Sequence, residues 1–200
     1  MNNKNQFLKS RVLILGFASA SLLLTSTSCN NAKNTKRADT KEVAEEHNDA
    51  KFANAKEDDA NFLVSAAEIN LEEIQLGKLA QTRGTSTQVK ELGKMMETEH
   101  TKALADLQAL AAKKQITIPT ALTDDGMNAN KKLMDTQASD FDNEYADVMV
   151  SGHKEAIRKF EKASTDATDA DIRDWAASML PTFRKHLDLS INCQKNSEKM

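Results

Sequence analysis

Residues 85–110, TSTQVKELGKMMETEHTKALADLQAL, decide the fold. Val89, Leu92, Met96, His100, Ala103, Leu107 and Leu110 follow one another at spacings of three and four. An α-helix turns once in about 3.6 residues, so these side chains make one apolar stripe and leave the charged residues to water. Thr85-Ser86-Thr87-Gln88 fits a capping box at the front of the helix, which runs to about Lys114. One member of the stripe is ionisable, His100.

The same pattern recurs on both sides. Upstream, Phe62, Ala66, Ile69, Glu73, Leu76 and Ala80 form a stripe over Asp58 to Thr82, with Asp58 and Asp59 suited to its N-terminus and Gly84 to its end. A short turn then makes the first two helices antiparallel neighbours. Downstream, Pro119 breaks the pattern over Ile116–Leu122. Helical character resumes near Asp125, weakens around Ala138 to Asp140, and continues through Phe141, Tyr145, Val148, Met149, Gly152, Ala156 and Phe160, with His153 at the stripe's edge. A polar turn over 164–169 leads to a last helix, about Ala170 to Cys193, with Ile172, Trp175, Ala176, Met179, Phe183, His186, Leu187 and Ser190 inward. Pro181 predicts a kink one turn before His186. The expected fold is all-α: an antiparallel four-helix bundle over 57–196, its third helix either continuous or split. With 6 glycines, 2 prolines and 4% aromatic residues, the composition favours helix over sheet.

The N-terminus gives an address. Lys4, Lys9 and Arg11 precede an apolar run from Val12 to Leu24 that is too short to span a bilayer. Ser26-Thr27-Ser28 and then Cys29 follow. Residues 1–28 therefore read as a bacterial lipoprotein signal with Cys29 as the site of lipid attachment; an ordinary cleaved signal with an incidental cysteine is the competing reading. Asn30, in place of an aspartate, points to the outer membrane, facing the periplasm, and the expected membrane link is the lipid alone. Cys193 is then the remaining thiol, read as buried and inert, with intermolecular pairing or metal ligation as the competing reading. Residues 29–56 hold few large apolar side chains and read as a flexible tether, with transient helix around Lys41 to Ala55. A net charge of -3, with both signs mixed along the helices, gives no basic face for nucleic acid.

Each of the four stripes thus carries one ionisable residue: Glu73, His100, His153 and His186. Placing both helix turns at one end of the bundle puts these residues at about ten, fourteen, eleven and seventeen residues of depth, or roughly 15–25 Å. They can share one level. Met96 and Met149 lie one turn from a histidine, Glu99 adjoins His100, and Asp142 and Tyr145 share the side of the third helix that carries His153. Two readings compete. One is a hydrogen-bonded polar core, with Glu73, Asp142 or Glu99 accepting from the imidazoles. The other is a single transition-metal ion, Zn, Cu or Fe, held by the four residues with Glu99, Asp142, Tyr145, Met96 and Met149 in support. Glu97-Thr98-Glu99-His100 matches the Glu-x-x-His spacing of di-iron bundles, but Phe183 stands three before His186 where a second glutamate is needed. The reading therefore favours a binding or envelope-maintenance role over a ferritin-like oxidase or peroxide-handling enzyme. A purely structural or partner-binding module is the third class.

Four segments carry a resemblance: Glu73-Ile-Gln-Leu-Gly-Lys-Leu-Ala80, Met95-Met-Glu-Thr-Glu-His-Thr-Lys102, Phe141-Asp-Asn-Glu-Tyr145 through Gly152-His153, and Leu180-Pro-Thr-Phe-Arg-Lys-His186. In order and spacing the chain resembles, over about 58–194, an uncharacterised family of bacterial exported proteins. Its members are often labelled outer membrane proteins and are grouped with ferritin-like four-helix folds. The resemblance implies a ferritin-like bundle in the cell envelope and no particular activity. It also implies an acidic residue before the second-helix histidine, here Glu99-His100, an acidic residue at Glu73, and histidines at His153 and His186.

Overall fold

The computed structural model describes residues 39–53 and 55–197. Among them lie six α-helices and no strand: α1 (Thr40–Asp49), α2 (Ala55–Arg83), α3 (Thr87–Lys114), α4 (Asp124–Asp135), α5 (Phe141–Asp166) and α6 (Ala170–Ser197). The expected signal sequence and Cys29 fall outside the described residues, as does the start of the expected tether. No helix among the described residues is long and apolar enough to cross a membrane. The expected third helix is two, α4 and α5, and α6 runs without interruption through Pro181.

Helices α2 and α3 form a hairpin. Ser86 is the N-cap of α3, its hydroxyl accepting from the Val89 amide, and Asn70–His100 and Gln81–Glu97 pair across the hairpin. Its two helices touch backbone to backbone: a Cβ on Gly77 would stand 2.6 Å from the Gly93 carbonyl, and one on Gly93 would meet the Gly77 carbonyl at 2.7 Å. Glycine inside a helix costs about 0.5–1 kcal/mol against alanine, and here that cost permits the close crossing. Helices α5 and α6 form a second hairpin, with Phe160 against Phe183 and Trp175.

The hairpins pack on each other. Phe62 meets Phe160 edge-on at 5.0 Å between α2 and α5, while Glu99–Lys185, Gln88–Asn196 and Lys113–Asp171 join α3 to α6. These pairings make α5 antiparallel to α2 and α6 antiparallel to α3. Helices α3 and α5 therefore run the same way, and residues 115–140 must carry the chain back along their length. They do so as a loop and then α4, which packs on α2. Here the structure corrects the depth count. The α2–α3 and α5–α6 turns lie at opposite ends, because a connection this long need not reverse direction at once. Asp142, heading α5, accepts from the Thr85 amide, the Thr85 hydroxyl and the Ser86 amide at 2.9, 2.7 and 2.8 Å. Asp59, near the head of α2, accepts from the Thr168 amide, the Thr168 hydroxyl and the Asp169 amide at 2.9, 2.7 and 2.9 Å. The two clamps are related by one shift of 83 positions (59 to 142, 85 to 168), so the two hairpins repeat each other in sequence register.

Part of the stretch expected as a tether is a docked helix. Asp39 caps α1 at the Lys41 amide and accepts from the Asp124 amide; Asn48 exchanges two hydrogen bonds with the Thr117 backbone; Lys41 pairs with Glu68 at 2.8 Å. Only Ala44 and Asn48 of α1 are buried. Polar side chains reaching backbone groups hold this helix, and a count of apolar residues carries no trace of them.

The core falls into two apolar clusters. Leu63, Leu107, Phe160, Ile172 and Phe183 belong to one, and Leu76, Met96, Phe141, Tyr145, Met149 and Cys193 to the other. Asn70, Glu73, His100, His153 and His186, all buried, belong to neither cluster, although each helix that carries them contributes to both.

Candidate functional site

Each long helix delivers one or two residues to this polar group: Asn70 and Glu73 from α2, His100 from α3, His153 from α5 and His186 from α6. The three imidazoles are at most 1% exposed. Their ring centroids stand 5.2–5.6 Å apart. One ligand nitrogen from each lies within 4.8 Å of the other two. The structure thus gathers three of the four expected residues around one point. His153, read from the sequence as a stripe-edge residue, is fully inside, and its neighbour Gly152, read as inward, is exposed.

The outer nitrogens fix the tautomers. The Asn70 amide donates to the Ala66 carbonyl at 2.7 Å, so its oxygen faces His100 Nδ1 at 3.0 Å and that nitrogen is the N–H donor. His153 Nδ1 donates to the Met149 carbonyl at 2.9 Å. His186 Nε2 donates to Glu99 Oε2 at 2.9 Å. A neutral imidazole has one N–H and one lone pair, so His100 Nε2, His153 Nε2 and His186 Nδ1 are all acceptors. His153 Nε2 and His186 Nδ1 face each other at 3.2 Å, and His100 Nε2 is buried without a hydrogen-bond partner.

Electrostatics hold the rings neutral. Burial pushes His100 well below its ordinary value, with the neighbouring His153 and His186 adding to it. Burial brings His153 to about 4. His186 is lowered by burial despite the opposing pull of Glu99. In Glu99, hydrogen bonds from Lys185 and His186 outweigh burial and keep the carboxyl below its usual range, hence ionised. Lys185 closes this chain at the surface, 2.9 Å from Glu99 Oε1.

Glu73 lies on the outer side of His153, its Oε1 3.6 Å from Nδ1 and not among the converging atoms. Burial raises its carboxyl well above the usual range, the charge of Glu72 adding to this, and its Oε2 has no hydrogen-bond partner. The Tyr145 hydroxyl is buried and unpartnered as well; burial and the charge of Glu73 raise it. Met96 and Met149 are buried in the apolar cluster that holds Tyr145, and the atom of Met149 that meets His153 is its carbonyl oxygen.

Asp142, expected beside the histidines, is instead the clamp on the α2–α3 turn. It lies too near the N-terminus of α5 to reach the layer, and the exposed amides of that turn claim both its oxygens. Those hydrogen bonds outweigh burial and hold it below the usual carboxylate range. Glu97 is likewise engaged elsewhere, by Gln81 at 2.7 Å. Sequence reading missed Asn70, the partner of His100. The signal is present, since Asn70 stands four after Ala66 and three before Glu73 on the same helical face.

Residues 32–190 match the family model described as Domain of unknown function (DUF4142), and the chain belongs to that family. No curated protein and no solved structure matched the chain.

Proposed function

We propose that this chain is a lipid-anchored protein of the bacterial envelope that binds one transition-metal ion at His100, His153 and His186. One observation carries the reading: three buried imidazoles converge, and each has given its N–H to a fixed acceptor, so the nitrogens left over hold only lone pairs. Two acceptor nitrogens at 3.2 Å repel unless a cation or a proton sits between them, and burial disfavours the proton. Backing each ligand ring by an amide, a carbonyl or a carboxylate is how metal-binding histidines are oriented. Neutral imidazole nitrogen suits zinc, copper or iron over magnesium or calcium. The antiparallel packing within and between the hairpins, with a long crossover, supports a ferritin-like four-helix bundle as the scaffold. A ferritin-like oxidase has less support, since the converging set holds no carboxylate to bridge two irons.

Metal analysis of the purified full chain should find about one equivalent of zinc, copper or iron, lost in His100→Ala and in His186→Ala. Sub-stoichiometric metal in every preparation, with no thermal shift on adding any of the three, would sink the site. For the anchor, Cys29→Ser should release the protein from membranes; retention would refute lipid attachment.

A further inference from the structure

Resting on that metal-site reading, we infer that the fourth coordination position of the ion takes a small anion from solution and not the Glu73 carboxylate. Four-coordinate zinc-type sites with three protein ligands keep an open position, while structural sites close all four. Among the described residues, the converging histidine, cysteine, aspartate and glutamate atoms stop at three. The nearest spare carboxylate is Glu73, and it meets His153 at Nδ1, which donates to the Met149 carbonyl. The lone pair of that ring leaves from Nε2, toward His186. Glu73 therefore stands behind a ligand and outside the coordination sphere.

Distance agrees with a tetrahedral ion. Metal–nitrogen bonds of about 2.0–2.1 Å place two ligand nitrogens roughly 3.3–3.4 Å apart. His153 and His186 are already at 3.2 Å, and the third nitrogen is within 4.8 Å, so a shift of about an ångström closes the triad. Phe183 lies 5.5, 6.1 and 6.3 Å from the rings of His100, His153 and His186, and so covers one side of the triad.

Charge selects the ligand. Three neutral imidazoles leave a divalent ion with its full charge, and the Glu99 carboxylate, itself paired with Lys185, acts through the His186 ring. Apolar clusters on both sides weaken the screening of that charge, so an anion is drawn in more strongly than it would be in water. With the three histidines at most 1% exposed, the candidates are anions of a few atoms, such as hydroxide or azide.

The test uses the full chain loaded with Co(II), whose visible bands report coordination, titrated with sodium azide alongside Glu73→Gln. Saturable band shifts of similar midpoint in both proteins are expected. An azide response confined to Glu73→Gln would mean that the Glu73 carboxylate occupies the fourth position, overturning the inference. No response in either protein, despite bound Co(II), would overturn it too, by showing a closed site. Failure to take up Co(II) at all would instead remove the metal-site reading and this inference with it.

Discussion

His153 carries the sharpest quantitative consequence of the histidine layer. Burial lowers it from 6.5 in the unfolded chain to about 4 in the folded one. Between those values the unfolded state takes the proton and the folded state refuses it. The stabilisation of the neutral ring is complete above pH 6.5, is lost progressively as the pH falls, and levels off near pH 4. Each pKa unit is worth about 1.4 kcal/mol, so the full shift amounts to about 3 kcal/mol, of which about 2 kcal/mol falls between pH 7 and pH 5. Glu73 acts in the opposite sense: its raised carboxyl favours the fold at low pH, and that contribution fades as the pH rises from 4.5. The comparison that bears most directly on His153 is wild type against His153→Gln, in which the surface carboxylates cancel. Urea unfolding in the presence of a chelator, followed by far-UV circular dichroism at pH 7 and pH 5, measures it. Wild type should lose about 2 kcal/mol more than the variant on acidification, about 1 M in midpoint at an m-value near 2 kcal/mol/M. Equal losses in the two proteins would refute the picture of a buried neutral ring.

Other predictions follow from single contacts. Asp142→Ala strips three hydrogen bonds from the α2–α3 turn and should cost about 1–3 kcal/mol of unfolding free energy. Asp59→Ala should cost a similar amount at the other end, and the double variant should be additive in denaturant titrations because the clamps share no partner. Gly77→Ala should destabilise by about 1–3 kcal/mol in thermal unfolding, since its Cβ meets the Gly93 carbonyl and cannot be accommodated by a rotamer change. Gly152→Ala is its control: the nearest atom is the end of a flexible side chain, Glu73 Oε1, at 3.3 Å, so the change should be within about 1 kcal/mol of neutral. Asn70→Ala removes the acceptor that orients His100 and should weaken metal binding about 10–100-fold in competition with a chromophoric chelator, with one equivalent still bound at saturation.

The helices were legible because each long stripe repeats at spacings of three and four, and the ionisable residue on each stripe did prove to be buried. What periodicity could not supply was direction. It gives no sign of whether residues 115–140 turn back at once or travel the length of the helices, and the wrong choice placed His186 seventeen residues deep from the wrong end. Height in the molecule depends on topology, while facing depends only on local sequence; the three histidines converge although that count started from the wrong end. Asp142 failed as a site residue for a related reason. Sharing a helical face with His153 says nothing about the unsatisfied amides of a turn from another hairpin, and those amides bind it more strongly than any distant imidazole could. Asn70 was overlooked because an asparagine on a helix reads as polar surface unless its position three before Glu73 is weighed.

The repeat shift of 83 positions bears on how many ions the site can hold. Two-metal bundles draw equivalent ligands from both halves, so each ligand has a counterpart of the same kind in the other half. Shifted by 83 (70 to 153, 100 to 183, 103 to 186), His153 corresponds to Asn70, His100 to Phe183 and His186 to Ala103. No histidine of the triad falls on another ligand. Asn70 supports His100 from outside, Phe183 covers the triad, and Ala103 contributes bulk alone. The symmetric scaffold supplies facing positions from both hairpins, and the side chains there differ at every equivalent pair. Such a layer can build one centre of three nitrogens, and the positions equivalent to those histidines supply no second set.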